Sequence, residues 1–348
     1  MHDILCYEAG DEDSLQNMSE KQGFVLVAHR GNSADAPENT IAAFDSALDY
    51  GFQHFETDCQ LTADGVVVVL HDEQLGRTTP GVEGAVADAR WNDLRELDAG
   101  SWFRPDFSDA RIPLLTEVLQ RYWGRTHIHL ELKSRQPELP GTVATLLSET
   151  GWVEAALGSS LATLPAAEPL STPSPASSQQ QKPPQQQQQE QQHGLDIDRQ
   201  TAADGYCVNV ARPAAAPPQQ LSSQRHRDFN VPGLTITSFH KDQLRRSLQL
   251  LPGITHGWLV HELTDERIQE ALDMGCRQLC PRANVLTADA VQRAVSVGLS
   301  IRAWGIKDMQ LLRHSERCGC HGATVNWPRT AREELLLPTQ LTPPPAAS

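Results

Sequence analysis

A chain of 348 residues, 39% of them hydrophobic, has room for two average domains or one large α/β barrel, and its core needs no disulfide staples. A formal net charge of -15, without any Lys/Arg-rich run, argues against nucleic-acid binding. The same acidity repels anions at long range, so a phosphate site in this chain has to be made locally positive by Arg, Lys or a metal ion.

Residues 1–22 form a polar, acidic lead-in with neither the apolar stretch of a secretion signal nor an Arg-rich amphipathic pattern. No run of about 18 apolar residues occurs anywhere, so no transmembrane segment is expected and the expected location is cytoplasmic. The first strand is expected at FVLVAH (24–29), which runs straight into His29 and Arg30. The helical pattern NTIAAFDSALDYG follows, then a second strand, FQHFETDC (52–59). Only QLTADG separates that strand from the apolar run VVVVLHD (66–72). A parallel crossover needs a dozen or more residues, so this run should return as an antiparallel hairpin about Asp64-Gly65. The hairpin brings His71 back to the level of Glu56.

Further strands are expected at THIHLELK (126–133), LTITSF (234–239), HGWLVH (256–261), RQLCP (277–281), SIRAWGI (300–306) and GATVNW (322–327). Helical patterns lie between them, among them GTVATLLSETGWVEAAL, HKDQLRRSLQLL, TDERIQEALDMG and TADAVQRAVSVG; several open on an Asp or Thr cap and close on Gly. Residues from about 157 to 230, including SSQQQKPPQQQQQEQQ, are too rich in Pro, Ser, Ala and Gln to bury a core, and read as a disordered low-complexity insertion. Eight βα units in about 250 structured residues match an α/β fold of the (β/α)8 TIM-barrel type with one extra hairpin strand. The expected organisation is a lead-in at 1–22, a barrel over 23–331 interrupted at 157–230, and a flexible tail at 332–348.

Seven cysteines, an odd number, do not suggest a disulfide framework. Cys276, Cys280, Cys318, Cys320 and His321 could be drawn as a zinc site, but the ligand spacing is weak and scattered thiols are the expectation. The strand ends are more informative, because chemistry in such barrels sits at the C-terminal ends of the strands. Those ends carry His29 and Arg30, Glu56 and Asp58, and Glu131 and Lys133. Side-chain alternation puts Glu56 with Asp58 on one face, and Glu131 with Lys133, while Leu130 and Leu132 point out toward the helices. Three uncompensated carboxylates near the barrel axis would be strongly destabilising, and a hard divalent cation with oxygen ligands resolves the conflict.

In order, AHRG…PENT, ETD, LHD, WNDLRELDAGSWFRPDFSDARIPLLTEVL, HLELK, TSF and RAWGI resemble the glycerophosphodiester phosphodiesterase family over roughly residues 24 to 330 apart from the insertion. The resemblance implies a (β/α)8 fold and hydrolysis of glycerophosphodiesters to glycerol 3-phosphate and an alcohol. It implies one divalent cation, Mg2+ or Ca2+, on Glu56, Asp58 and Glu131, and an acid/base pair of His29 and His71. Arg30 and Lys133 match positions that neutralise the phosphate, and Glu38 and Asn39 belong to the PENT element nearby. Trp304, at the mouth, either packs against the glycerol or fills the barrel. The family pattern departs at Gly305, where Thr is common, and at Val325-Asn326, where Thr-Asp is usual; both bear on substrate choice. A lysophospholipase D-type phosphodiesterase and a catalytically inactive binding module are the alternatives.

Overall fold

The computed structural model describes residues 23–158 and 231–336. The expected lead-in, the insertion from residue 159 onward and the tail beyond residue 336 lie outside the described residues. The strands are β1 (Val25–His29), β2 (His54–Leu61), β3 (Val67–Val69), β4 (His127–Leu132), β5 (Gly233–Ser238), β6 (Thr255–Val260), β7 (Gln278–Pro281), β8 (Ser300–Ala303) and β9 (Gly322–Val325). Eight of them are parallel and run in the order β1-β9-β8-β7-β6-β5-β4-β2, and a β1–β2 pairing closes the ring. This is the expected (β/α)8 barrel.

β3 stands outside the ring. β1 pairs with β2 only as far as His29 opposite Glu56, while β4 follows the other edge of β2 up to Cys59. The freed edge of β2 is taken by β3, antiparallel, with Cys59 opposite Val69 and Leu61 opposite Val67. The turn closes through Thr62 and Val66, whose backbones bond at 3.0 Å. The expected hairpin is therefore present, as an extension of β2 above the rim of the barrel.

The helices are α1 (Ile41–Asp49), α2 (Trp91–Leu94), α3 (Leu115–Arg121), α4 (Leu139–Glu149), α5 (Trp152–Ala156), α6 (Lys241–Leu250), α7 (Asp265–Met274), α8 (Ala288–Ser296), α9 (Met309–Arg317) and α10 (Pro328–Leu336). Thr40, Thr264, Thr287 and Asp308 cap α1, α7, α8 and α9 by accepting a backbone N–H three residues on, which satisfies a donor that the first helical turn leaves over. The stretch GTVATLLSETGWVEAAL breaks into α4 and α5. Gly151 between them is left-handed at φ 76°, and the Trp123 ring would lie 3.2 Å from a Cβ there. α10 continues past residue 331 into the expected tail, because Arg332 lies over the Phe52 ring at 3.7 Å and donates to the Tyr50 and Gly51 carbonyls.

Outward-facing strand residues and inward-facing helix residues make the core. Ile128, Leu130 and Leu132 of β4 are fully buried in one cluster with Leu139, Val143 and Leu147 of α4. A second cluster covers the β7–β9 side, and a third, smaller one (Val68, Leu70, Val86, Leu94, Ala99, Ile112) sits under the excursion between β2 and β4. The inward faces of β2 and β4 carry polar groups instead, stacked toward the mouth.

Candidate functional site

The first strand ends on a tight backbone construction. Arg30 is left-handed at φ 56°, and a Cβ on Gly31 would lie 2.5 Å from the Ala43 carbonyl carbon, so only glycine lets the loop press onto α1. This geometry aims the Arg30 backbone N–H at Glu56 Oε2 (3.1 Å) and its guanidinium at two acids, Asp58 Oδ2 (3.2 Å) and Glu38 Oε1 (2.7 Å). Asn39, also left-handed at φ 57°, donates to Asp58 Oδ2 at 2.8 Å and accepts from the Asp58 backbone at 3.3 Å and from Thr57 Oγ1 at 3.1 Å. The PENT element thus clamps Asp58 in one rotamer.

Register does the rest of the assembly. Asp58 lies opposite Glu131 across β2 and β4, and Glu56 precedes Asp58 on the same face. Glu56, Asp58 and Glu131 are all buried, and each offers a carboxylate oxygen within 4.8 Å of the others. Glu56 Oε1 and Asp58 Oδ1 are buried without a hydrogen-bond partner among the described residues. Burial and the charges of Asp58 and Glu131 push Glu56 well above the usual carboxylate range. Burial and Asp58 likewise push Glu131 up to about 7, although Lys133 opposes them. Burial works against ionising Asp58 too, but Arg30, His71 and Lys133 outweigh it and hold Asp58 below its ordinary value. Buried carboxylate oxygens without partners that repel one another are a donor set that fits a hard divalent ion.

The two histidines flank the triad, each with Nδ1 tied down. His29 Nδ1 lies 2.5 Å from Asn326 Oδ1, and its Nε2 is 3.7 Å from Glu56 Oε2. His71 Nδ1 lies 2.6 Å from Asp72 Oδ1, and its Nε2 is 3.1 Å from Lys133 Nζ. A lysine ammonium can only donate, so His71 receives that bond on a neutral ring whose proton sits on Nδ1. Burial pulls both imidazoles below their ordinary pKa, assisted by Arg30. Lys133 also pairs with Glu131 Oε1 at 3.0 Å. Arg77 donates to Asp72 Oδ2 at 2.5 Å and to Glu38 Oε1 at 2.7 Å, so an unbroken run of charged bonds links His71 back to Arg30.

A cavity of about 320 Å³ opens above these groups. Trp304, one residue beyond β8, lines it and packs at once: its indole N–H donates to the Val260 and Cys280 carbonyls at 3.1 and 3.0 Å. All the site residues expected from the strand ends, His29, Arg30, Glu56, Asp58, His71, Glu131, Lys133 and Trp304, gather at this end of the barrel. Sequence reading missed four others. Asn326 was visible only as a departure from a family pattern; here it is the partner of His29. Asp72 and Arg77 follow the hairpin and act on His71. Arg302 is buried with its Nε donating to Gln278 Oε1 at 3.2 Å, Nη1 donating to Thr324, and Nη2 without a partner among the described residues. Its signal was available: alternation in SIRAW turns Ile301 and Ala303 outward and Arg302 inward. Cys276, Cys280, Cys318 and Cys320 are buried, and among the described residues the acidic triad is the grouping of metal-binding side chains close enough to share an ion.

The family model for glycerophosphoryl diester phosphodiesterases matches residues 29–145, the segment that carries His29, the triad, His71 and Lys133. Over this segment the chain is similar to the glycerophosphoryl diester phosphodiesterase family. It is 43% identical over 124 residues to a glycerophosphodiester phosphodiesterase of Caldanaerobacter subterraneus, which covers 35% of this chain and 51% of that protein. It is 39% identical over 108 residues to human glycerophosphodiester phosphodiesterase 1, covering 30% of this chain and 32% of the human one. The chain thus spans about half the length, or less, of these curated relatives. The fold matches that of an Oleispira antarctica phosphodiesterase solved in complex with the product sn-glycerol-3-phosphate, with a TM-score of 0.63 and 21% identity over 89% of this chain and 96% of that one. At that identity the likeness speaks for the barrel fold alone.

Proposed function

We propose that this protein is a metal-dependent phosphodiesterase that hydrolyses glycerophosphodiesters to glycerol 3-phosphate and an alcohol. The observation that carries the reading is the convergence of an orphaned buried acidic triad with two histidines whose Nδ1 atoms are both tied down. Glu56, Asp58 and Glu131 would hold one divalent cation, Mg2+ or Ca2+, which when bound supplies Lewis-acid polarisation of the phosphoryl oxygens.

The chain's own groups do the remainder. Arg30 and Lys133 set fixed positive charge beside the triad, where it counters charge developing on the phosphoryl group. With Nδ1 engaged, Nε2 of each imidazole is the atom that exchanges a proton: one ring removes it from the nucleophile and the other returns it to the leaving oxygen. Asn326 and Asp72 keep those rings oriented. Among the described residues no helix is long and apolar enough to cross a membrane. We read the setting as cytoplasmic and the role as glycerol and lipid metabolism on composition and family likeness together.

The test is turnover of a panel of glycerophosphodiesters and lysophospholipids with Mg2+, Ca2+ or excess chelator, alongside thermal melting. Wild type should cleave glycerophosphodiesters only with metal, and metal should raise its melting temperature, since a ligand of the folded state alone stabilises it. Glu56→Gln should fold, lose most activity and lose most of the metal-induced shift. Full activity in excess chelator would sink the metal assignment, and turnover confined to lysophospholipids would move the enzyme to the lysophospholipase D type.

A further inference from the structure

Going around the closed ring, β7 and β8 stand diametrically across from β2 and β4. Across the barrel from the triad lies the wall formed by the residues that follow β7 and β8: Arg282 after Pro281, and Trp304 with Lys307 after Ala303. That wall is built of cations and rings. Among the described residues, the only acidic side chains lining the cavity are Glu56 and Glu131, both in the triad, against Arg30, Lys133, Arg282, Arg302 and Lys307. Arg30 and Lys133 are paired to acids, whereas Arg282, Arg302 and Lys307 form no ion pair among the described residues. A divalent ion on the triad would leave one negative charge facing all five.

The rings at first suggest a cage for a quaternary ammonium, which needs an open aromatic face. Those faces are already used. The Arg282 guanidinium lies over Trp304 at 5.8 Å, and Lys133 Nζ lies over Phe239 at 5.9 Å. His261 stacks on Phe239 at 5.4 Å, and Trp304 meets both of those rings edge-on at 5.2 and 5.3 Å. A cationic head group entering here would meet two cations at the places where it should find π-density.

Resting on the phosphodiesterase reading, we propose that this wall is the alcohol subsite and that it selects an alcohol carrying its own anionic group, a carboxylate or a second phosphate. Glycerol, being neutral, gains nothing from unpaired cations, whereas an anionic alcohol supplies the counter-charge that Arg282 and Lys307 lack. Their charge also offsets the acidity of the whole chain at the one place where a doubly anionic substrate must enter.

The experiment uses the full chain with metal and three substrates: glycerophosphoglycerate, its neutral isostere glycerophosphoglycerol, and glycerophosphocholine. Wild-type kcat/KM should favour the glycerate ester over the glycerol ester by about tenfold, the size of one charge-assisted contact, with the choline ester last. The preference should appear mainly in KM and shrink as salt rises from 10 to 300 mM, on the order of the screening expected for partly exposed charges. In the Arg282→Glu/Lys307→Glu variant, checked for folding by its melting temperature, the order should reverse toward choline. The same folded variant keeping the wild-type order would overturn the proposal, as would equal kcat/KM for the two isosteres or a wild-type preference for choline, while the functional reading stood. No turnover of any of the three would overturn that reading and this inference with it.

Discussion

Two imidazoles flank the triad, and their supports differ by one atom type. His71 leans on a carboxylate, Asp72, while His29 leans on the amide of Asn326. Replacing either histidine by Ala should lower kcat by about two to four orders of magnitude, the range usual for a lost acid/base group. The double variant should be little worse than the worse single one, because in the proposed mechanism the two protons move within one sequence of steps. Modest losses that multiply would show that one ring only positions substrate. Asn326→Ala should cost less than loss of the His29 ring itself, since it frees the ring's orientation without removing the group proposed to carry the proton. At this scale legibility had a clear limit. The carboxylates and His29 could be read because each ends or lines a strand with a regular alternation. Asn326 could not be assigned to His29, because its partner lies 297 residues away and only barrel closure brings β9 beside β1.

Among the elements, β6 shows a polar group spent on packing rather than chemistry. His256 is fully buried, with Ser247 Oγ of α6 at 2.8 Å and the Ile254 carbonyl at 2.9 Å. Burial, with Arg277 nearby, brings its pKa down from 6.5 to about 4, although the bond to Ile254 resists. The unfolded chain therefore takes up this proton near 6.5 and the folded one only near 4, so stability is lost as pH falls through that window and levels off below it. The full difference amounts to about 3 kcal/mol for such a shift. Denaturant titrations at pH 7 and pH 4.5 should show a smaller stability difference for His256→Gln than for wild type. Equal pH dependence in the two proteins would mean that His256 plays no such part. Burial lowers His54 and His129 in the same direction, which is why the comparison between the two proteins is the measurement. The strands themselves were legible to within about three residues at each end, and the hairpin with them, because six residues cannot make a crossover. The break at Gly151 was not, since the sequence there continues a helical pattern and only the Trp123 ring explains the turn.

Taken together, the described residues form a closed ring of eight parallel strands with one antiparallel strand and its excursion added outside it. The count of βα units made the ring readable, and Asp64-Gly65 made the added strand readable. What could not be read was that the excursion after β2 has a hydrophobic cluster of its own, since Val68, Leu70, Val86, Leu94, Ala99 and Ile112 are spread over a stretch with little regular structure. His71, Asp72 and Arg77 all ride on that excursion, whereas the triad and Lys133 belong to the ring.

A small cluster fastened to one strand edge can open on its own, at a free energy below that of global unfolding. Amide hydrogens of Val68–Leu70 should then exchange faster than those of Ile128–Leu132, and turnover should fade on warming several degrees before the ellipticity of the barrel collapses. On cooling, activity should return without refolding of the ring. Coincident loss of activity and ellipticity would show that the excursion melts only with the barrel. If the two part company, the protein carries a thermal fuse: the imidazole proposed as a proton carrier swings away while the scaffold that held it survives.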